Sequence, residues 1–288
     1  MIARTASCCG LVIAGLALTV SAQEPAPLKV ETVTPRLHCI VTMGNVTVFE
    51  GQDALLVVDS GQPDAAVQLA AKVREISSKP VRTLVNTHYH FDHMGGNAVV
   101  GRGATIVAHE ACRQAALKAL KPGQKPEEVG VPQETYKDAL ELRVGQDVVK
   151  LLYLGPGHTS GDTVVVFESE KALVVGDLFF SGLPPYIDVK DGADTANWAA
   201  LIAELAARYP DFKVIPGHGS VSDMKGWRRF AQYLTALRAK VVAAIQAGQS
   251  REAAQASVRL DEFPEVQDTS FLKKSDNVGW VYDELTRQ

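Results

Sequence analysis

The chain has 288 residues, of which 46% are hydrophobic and 22% are charged, and its formal net charge is -4. These values are ordinary for a globular protein with enough length for one sizeable domain. The acidic excess, without any block of basic residues, argues against nucleic acid or an anionic membrane as a partner.

The first 22 residues have the pattern of a cleaved secretory signal. Arg4 is their only charge, residues 10–20 form an uninterrupted small and apolar run, and Val20-Ser21-Ala22 resembles a signal-peptidase site. The run is shorter than the ~20 residues of a spanning helix, so we favour cleavage over a membrane anchor. Losing Arg4 and no acidic residue changes the net charge from -4 to -5. We expect a periplasmic or secreted protein that leaves the membrane after cleavage.

Short apolar runs separated by glycine and asparagine predict strands and hairpins in the first half of the mature chain. Asp64–Ser77 is predicted to be an amphipathic helix opened by Pro63, and Ala111–Leu120 a second helix. Lys121–Thr135 is rich in Pro, Gly and Lys and predicts a surface loop. The predicted strands here are Lys29–Val33, His38–Thr42, Val46–Glu50, Ala54–Val58, Val81–Val85 and Thr105–Ala108.

The second half again places strands before helices. Thr195–Tyr209 is predicted to be a helix that Asp194 caps, and a helical C-terminal extension is predicted for residues 224–288, with its apolar stripe packed in the core. This order predicts sheets covered by helices, an α/β or α+β domain over residues 23–288. The predicted strands of this half are Leu140–Val144, Val148–Leu154, Thr163–Phe167, Ala172–Val175 and Lys213–Ile215.

Five of the seven histidines and two aspartates lie in four short segments of one kind. In each segment an apolar β-like run ends and a candidate metal ligand follows, three times after a glycine. If the strands lie side by side, the ligands emerge at one edge of the sheet and form one pocket. The candidate ligands are His88, His90, Asp92, His93, His158, Asp177 and His218.

The spacing of these residues suggests two metal ions. His88 and His90 are two apart and point the same way in extended backbone, Asp92 extends that row, and His93 points elsewhere. Imidazole and carboxylate without thiolate suit Zn²⁺, with iron or manganese as alternatives. Asp177 can bridge two ions, and each ion keeps room for water, as catalytic sites do. The expected ligand sets are His88, His90 and His158 for one ion and Asp92, His93 and His218 for the other.

The HxHxDH segment from His88 to His93, followed in order by the Gly-His, Gly-Asp and Gly-His segments, resembles the metallo-β-lactamase superfamily. The resemblance runs from about Val46 to His218 and includes Asp59 in Val57-Val58-Asp59-Ser60-Gly61. It implies a four-layer αβ/βα sandwich with the metal ions at one edge and helices at the C-terminus. It also implies that Asp59 steadies a ligand without binding metal, a role worth ~10–100-fold in metal affinity.

We therefore expect an exported binuclear metal-dependent hydrolase with two Zn²⁺. A metal-bound hydroxide, formed because the ions lower the pKa of a shared water toward ~7, would cleave an ester, lactone, thioester or cyclic amide of the β-lactam type in a small molecule. Asp92 is the expected catalytic residue, since it can orient the hydroxide while it binds the second ion. The sequence specifies no oligomeric state.

Two departures from the resemblance bear on the substrate. The well-known β-lactamase groups carry Cys or Ser at the position of Asp177, and one large group has lysine at the position of Phe180. A bridging Asp177 is more similar to glyoxalase II, lactonases and related esterases. The alternatives are a β-lactamase proper, a glyoxalase II-like thioesterase, a mononuclear iron dioxygenase and a metal-binding protein without catalysis.

The walls of the pocket are less strongly indicated. Pro184-Pro185-Tyr186 and the Thr42–Asn45 turn are the candidates, with Tyr186 as a substrate contact. The basic residues of the last predicted helix, Arg228 among them, are interpreted as a solvated face. Thr159, Ser160 and Asp162 are interpreted as a turn that shapes the loop after His158. Cys39 and Cys112 could pair in an oxidising compartment, and we favour two buried thiols.

Overall fold

The computed structural model describes residues 27–287, so the predicted signal segment lies outside the described residues. Its first sheet is antiparallel from β1 to β4 and parallel from β4 to β7. The seven strands lie side by side in chain order: β1 (Lys29–Thr34), β2 (Leu37–Val41), β3 (Val46–Glu50), β4 (Leu55–Val58), β5 (Val81–Val85), β6 (Thr105–His109) and β7 (Glu134–Tyr136).

The second sheet has six strands in the order β13-β12-β11-β10-β9-β8. β11 and β12 are parallel, and the other neighbours in this sheet are antiparallel. The strands are β8 (Ala139–Val144), β9 (Asp147–Leu152), β10 (Val164–Phe167), β11 (Ala172–Phe180), β12 (Lys213–His218) and β13 (Ser222–Asp223).

The helices cover the outer faces of both sheets. Those of the first half are α1 (Ala66–Ile76), α2 (Phe91–Met94), α3 (Asn97–Val100), α4 (Glu110–Lys118) and α5 (Pro126–Val129). Those of the second half are α6 (Thr195–Arg208), α7 (Met224–Gln246), α8 (Arg251–Ser257) and α9 (Lys274–Thr286). No helix within residues 27–287 combines the length and the apolar character that crossing a membrane requires.

Three large hydrophobic clusters define four layers. One cluster lies between the sheets, where the rings of Phe49 on β3 and Phe167 on β10 are 5.0 Å apart. A second joins the outer face of the first sheet to α1 and α3, and the third joins the outer face of the second sheet to α6 and α7. Because β4 and β10 are covered on both faces, their sequences are continuous apolar runs rather than alternating ones. The expected αβ/βα sandwich is confirmed.

The strand and helix predictions agree with the structure in most places, with three corrections. The predicted loop Lys121–Thr135 contains the helical turn α5 and the start of β7. The strand predicted to end at Val175 continues through Gly176 and Asp177 to Phe180, because it stays paired with β12 as far as Phe180. The C-terminal extension is not helical throughout, since α8 ends at Ser257 and α9 begins only at Lys274.

The core predictions for the second half are confirmed. Asp194 caps α6 by accepting hydrogen bonds from the backbone N–H groups of Ala196 and Asn197. The apolar stripe of α7, from Trp227 to Val241, is buried in the outer cluster of the second sheet. Cys39 and Cys112 are both free and buried, as the preferred interpretation expected.

Candidate metal centre

The candidate ligands come together at one edge of the sandwich, where four strands end or bend. β5 leads into His88, and the loop after β9 carries His158. Asp177 lies within β11 and His218 ends the neighbouring parallel strand β12. Residues far apart in the chain therefore converge because their strands are neighbours in two packed sheets.

The first segment has a different local shape from the expected extended row. Phe91–Met94 forms a single helical turn that begins directly after His90. Asp92 and His93 therefore turn away from His88 and His90 instead of extending their row, which corrects the prediction for Asp92. The turn is what allows one six-residue segment to serve two neighbouring groups of ligands.

The first group comprises His88, His90, His158 and Asp177. Nδ1 of His90 lies 3.1 Å from Nε2 of His88 and 3.0 Å from Nε2 of His158. Oδ2 of Asp177 lies 3.6 Å from Nε2 of His88 and 3.4 Å from Nε2 of His158. Three imidazole nitrogens and one carboxylate oxygen thus face a common centre.

The second group comprises Asp92, His93 and His218. Oδ2 of Asp92 lies 3.8 Å from Nε2 of His93 and 3.5 Å from Nε2 of His218. Asp177 reaches this group as well, with Oδ1 3.0 Å from His93 and Oδ2 3.2 Å from His218. Its two oxygens therefore lie between the two groups, where the sequence places a bridging carboxylate.

The donor sets fit metal ions. The ligand separations, 3.0–3.8 Å, are close to the edge of about 3.3 Å of a tetrahedron whose centre lies ~2.0–2.1 Å from each ligand. Nε2 of His93 and Oδ1 of Asp177 are buried and make no hydrogen bond within the described residues. Because an unsatisfied buried polar atom is costly, two such atoms facing each other in this cluster indicate that a cation completes them.

Burial favours the neutral form of two deep histidines, whereas for His93 the carboxylates of Asp177 and Asp59 outweigh burial and raise its pKa well above the usual range. Burial, reinforced by the neighbouring His93, holds the pKa of His88 well below its usual range, and burial lowers the pKa of His158 to about 3. Although burial opposes its ionisation, the histidines around Asp177, His218 and His93 foremost, hold the pKa of its carboxyl well below the usual value. Neutral imidazole and ionised carboxylate are the forms that bind a metal ion.

Asp59 at the end of β4 lies behind both groups. Its carboxylate accepts hydrogen bonds from Nδ1 of His93 at 2.9 Å and from the Thr87 hydroxyl at 2.7 Å. The Thr87 oxygen in turn lies 3.1 Å from Nδ1 of His88. Within residues 27–287, Asp59 contacts no ligand nitrogen other than Nδ1 of His93, and this placement agrees with the supporting role that the resemblance implies for it.

A second carboxylate in a comparable place, Asp188, was missed by the sequence analysis. It lies 3.0 Å from Nε2 of His90 and accepts a hydrogen bond from the Tyr89 hydroxyl at 2.6 Å. Burial opposes its ionisation, but the hydrogen bonds from His90 and Tyr89 hold its pKa below the usual value. The available signal was an acidic residue between Ile187 and Val189, shortly after the candidate pocket wall.

The loop that carries His158 is shaped by two further contacts. The buried Asp162 carboxylate accepts hydrogen bonds from the backbone N–H groups of Gly157 and Thr159 and from the Thr159 hydroxyl. Nδ1 of His158 donates to the backbone carbonyl of Tyr186 at 2.8 Å. The predicted turn is therefore present, and the candidate pocket wall orients a ligand through its backbone.

Phe180 and Leu178 support the ligands on β11 and β12. The Phe180 ring is buried and stacks on His218 with ring centroids 4.8 Å apart. The carbonyl of Leu178, next to Asp177, accepts hydrogen bonds from the indoles of Trp198 on α6 and Trp227 on α7. The two helices of the outer layer therefore hold the bridging carboxylate in place. Phe180 packs against a ligand and leaves no room there for a charged side chain.

Gly176 is required for the bend of β11 at Asp177. Its φ is +51°, and a Cβ atom there would lie 2.4 Å from the hydroxyl oxygen of Thr87. Only glycine allows this backbone conformation and this close approach together. The glycine before the ligand thus lets β11 approach the end of β5.

The basic residues of α7 lie on a largely solvated face, as predicted, and they also make specific contacts there. Arg238 pairs with the buried Glu284 of α9, Arg229 pairs with Glu265, and Arg228 donates to a backbone carbonyl at the end of α6. These contacts tie α7 to neighbouring elements in addition to the predicted exposure to solvent. They leave none of these three side chains without a partner in the described residues.

The remaining candidates lie beside the centre. A Cβ atom on Gly44 would overlap the carbonyl oxygen of Asp92 and lie 3.1 Å from Nε2 of His93, so the Thr42–Asn45 turn borders the second group. The Tyr186 ring lies 5.6 Å from that of His90 and borders the first group. Both predicted walls are thus next to ligands.

Comparisons with known proteins agree with this geometry. The family model of the metallo-beta-lactamase superfamily matches residues 39–218. The chain is similar to the 2,4-dinitroanisole O-demethylase subunit alpha of Nocardioides sp. (strain JS1661), with 26% identity over 259 residues that cover 89% of this chain and 72% of that protein. It is also similar to a hydroxyacylglutathione hydrolase of Anaeromyxobacter dehalogenans (strain 2CP-C), with 35% identity over 175 residues that cover 58% of each protein.

A solved structure has the same fold. The metallo-beta-lactamase from Pontibacter korlensis superposes with a TM-score of 0.62 at 23% sequence identity, covering 72% of this chain and 99% of that one. The family match spans more than half of the chain and includes all seven candidate ligands. The chain therefore belongs to the metallo-beta-lactamase superfamily, a superfamily of metal-dependent hydrolases.

Proposed function

We propose that this protein is an exported hydrolase that uses two metal ions, zinc in the first instance, to cleave an ester, lactone, thioester or cyclic amide bond in a small molecule. The observation that carries the proposal is the position of Asp177, whose two oxygens lie within 3.6 Å of four histidines from both ligand groups. A carboxylate shared in this way supports a pair of ions close enough to act on one bond.

The exposure of the ligands indicates where a substrate approaches. The side chains of His90, Asp92 and His218 are 16%, 13% and 15% exposed, whereas His88, His93 and His158 are at most 1% exposed. The partly exposed ligands form the open edge of the centre. A substrate at this edge would meet Asp92 directly.

Each group of side chains has a distinct part in the proposed reaction. When bound, the two ions would acidify a water molecule and polarise the carbonyl under attack. Asp92, at the open edge, accepts a hydrogen bond from the attacking water and orients it toward the carbonyl carbon. Asp59 and Asp188 hold His93 and His90 in orientation behind the centre. None of these steps requires a covalent bond between the protein and the substrate.

Asp177 and Phe180 favour an ester-type substrate over a dedicated β-lactamase. Phe180 is buried against His218, so no cation for a drug carboxylate lies at this position. The similarity to a hydroxyacylglutathione hydrolase supports ester or thioester cleavage. The α7 arginines, tied to α6, α9 and Glu265, give no support to glutathione recognition by that helix.

A panel of esters, lactones, thioesters and β-lactams, assayed alongside metal analysis of the same purified protein, tests the proposal. Turnover of one of these classes with about two zinc ions per chain supports it. About one iron per chain with oxygen uptake, and no hydrolysis, would contradict it in favour of oxygenase chemistry. A fully metal-loaded protein that turns over no member of the panel would point to a binding role.

The similarity to 2,4-dinitroanisole O-demethylase supports a second candidate, the hydrolytic cleavage of an aryl methyl ether. The alignment with that subunit covers 89% of the chain, beyond the limits of the family match. In this reaction water would attack the ring carbon that bears the methoxy group, giving a phenol and methanol. Release of 2,4-dinitrophenol from 2,4-dinitroanisole, with no turnover of any ester, lactone, thioester or β-lactam in the panel, would favour ether cleavage over the first proposed reaction.

A further inference from the structure

We propose that Tyr186 and Trp280 form an aromatic subsite that binds an uncharged aryl or similar apolar group of the substrate next to His90. The proposal rests on the proposed function, because it names the substrate class of the same site. Trp280 lies on α9, outside the segment that the family model matches. The C-terminal helix would thus determine specificity.

The rings of Tyr186 and Trp280 lie one after the other beside the ligand His90. The Tyr186 ring is 5.6 Å from that of His90, and the Trp280 ring is 5.0 Å from Tyr186 at an angle of 83°. Both aromatic side chains are only partly buried. A flat apolar group bound beside His90 would therefore lie against aromatic faces and edges, which pair favourably with another ring.

The subsite is held rigidly. The side-chain amide of Asn277, one turn before Trp280 on α9, donates to the carbonyl of Pro185 at 2.5 Å. Asn277 accepts in turn from the buried hydroxyl of Tyr233 on α7 at 2.6 Å. The backbone next to Tyr186 is therefore hydrogen-bonded to α9, which fixes Tyr186 relative to Trp280, so an aryl group binds without ordering a loop.

The segments that carry the ligands and the walls supply no cationic partner for a substrate, and the Arg287 guanidinium that reaches this wall donates to the backbone carbonyls of Val189 and Ala193. The ligand and wall segments 42–45, 88–93, 155–162, 177–189 and 216–222 contain no lysine or arginine. The next basic residue along the wall, Lys190, is exposed. A carboxylate on the distal part of a substrate would face the aromatic rings and the Asp188 carboxyl group behind His90. An uncharged group meets no such cost.

The Tyr186 hydroxyl supplies a polar contact at the subsite. Among the described residues it makes no hydrogen bond, although its neighbour Tyr89 donates to Asp188. It can therefore donate to an ether or ester oxygen that lies between the aryl group and the reacting carbonyl. Phe91, between His90 and Asp92 in the chain, is 63% exposed and adds apolar surface near the same edge.

Tryptophan fluorescence tests the subsite without relying on turnover. Of the three tryptophans, Trp198 and Trp227 are fully buried, so Trp280 is the one that a quencher in solution reaches. We expect acetanilide, an uncharged amide, to protect the metal-loaded protein from acrylamide quenching. Its carboxylate analogue 4-acetamidobenzoate should protect much less. The Trp280→Phe variant should show no protection by either compound.

Kinetics with matched esters tests specificity. Phenyl acetate should be hydrolysed with a higher kcat/KM than 4-acetoxybenzoate, which has the same scissile bond. In the Trp280→Ala variant the KM for phenyl acetate should rise about tenfold with little change in kcat, as expected from the loss of one aromatic contact. Trifluoroethyl acetate, which has no ring, should be unaffected. Phe271→Ala, which removes an aromatic side chain that is 83% exposed in the same C-terminal region, is the matched control.

The outcomes separate the two proposals. Preference for 4-acetoxybenzoate, particularly if Lys190→Ala abolishes it, would overturn the uncharged subsite. An equal loss of activity toward phenyl acetate and trifluoroethyl acetate in the Trp280→Ala variant would also overturn it, because Trp280 would then have only a structural role. Hydrolysis without any protection by acetanilide would leave the hydrolase standing and the subsite refuted. Protection by acetanilide without turnover of any ester, lactone, thioester or β-lactam of the panel would leave the subsite standing and refute the hydrolase.

Discussion

The carboxylate of Asp188 lies 3.0 Å from Nε2 of His90, while Nδ1 of the same ring faces His88 and His158. An ionised carboxylate only accepts, so Nε2 carries the proton and the lone pair of Nδ1 is free to bind a metal ion held by the three histidines. We expect Asp188→Ala to weaken the three-histidine site by ~10–100-fold, as for other carboxylates that orient a ligand histidine. Competition with a chromophoric zinc chelator measures this affinity.

Asp191→Ala is the matched control for this prediction. Asp191 lies three residues further along the same loop and accepts hydrogen bonds from Ser160 rather than from a ligand. Its loss should leave both metal affinities close to those of the wild type. Equal weakening in the two variants would mean that the loop as a whole, and not the carboxylate on His90, supports the site.

Asp92 combines a place in the second ligand group with the open edge of the centre. We expect Asp92→Ala to lose the second ion, with metal content falling from about two to about one per chain, and to abolish hydrolysis. The circular dichroism spectrum should be unchanged because Asp92 contributes nothing to the core. Wild-type turnover with normal metal content in this variant would refute the assigned role, and the exposed Asp64→Ala serves as control.

Much of the fold could be predicted from local patterns. β3 and β5 have the predicted bounds because their apolar runs end at a glycine or at the first ligand segment. β11 was predicted too short, because Gly176 and Asp177 are not typical of a strand. Those two residues stay in the strand because β12 and the two tryptophans on Leu178 hold the backbone there. Such contacts between distant elements are not encoded in the local sequence.

The residues of the candidate site were likewise predictable only in part. The ligands could be found because their residue types and glycine spacing are unusual in sequence. Asp188 and Trp280 could not, since a single Asp or Trp has many ordinary uses. Their relevance depends on the loop after β11 returning to His90 and on α9 packing against Tyr186.

Removal of the metal ions should destabilise the protein. A ligand that binds only the folded state, and whose free concentration is 100 times its dissociation constant, raises the free energy of unfolding by about 2.7 kcal/mol. For a domain of this size, this corresponds to a fall in Tm of about 5–10 °C when a chelator strips the ions. Thermal unfolding with and without chelator, followed by readdition of zinc, measures it. If the Tm were unchanged although metal analysis shows that the ions are gone, the buried atoms of His93 and Asp177 would not need a cation as partner.

The buried Asp162 should make the stability of the metal-free protein depend on pH. Burial raises the pKa of its carboxyl to about 7, although hydrogen bonds from Thr159 and Gly157 oppose the shift. The folded state therefore holds the proton more tightly than the unfolded chain, whose aspartate titrates near ~3.9. The stabilisation is complete below that value and is lost as the pH rises through about 7, by up to about 4 kcal/mol.

Asp162→Asn removes this titration and leaves the other ionisable groups in place. We expect the free energy of unfolding of the metal-free wild type, minus that of the variant, to decrease as the pH rises from about 4 to about 7. Urea unfolding at several pH values, with chelator present throughout, gives both curves. Taking the difference cancels the titration of the metal-binding histidines, which both proteins share. A difference that stays constant over this range would mean that the hydrogen bonds from Gly157 and Thr159 keep Asp162 ionised at all these pH values.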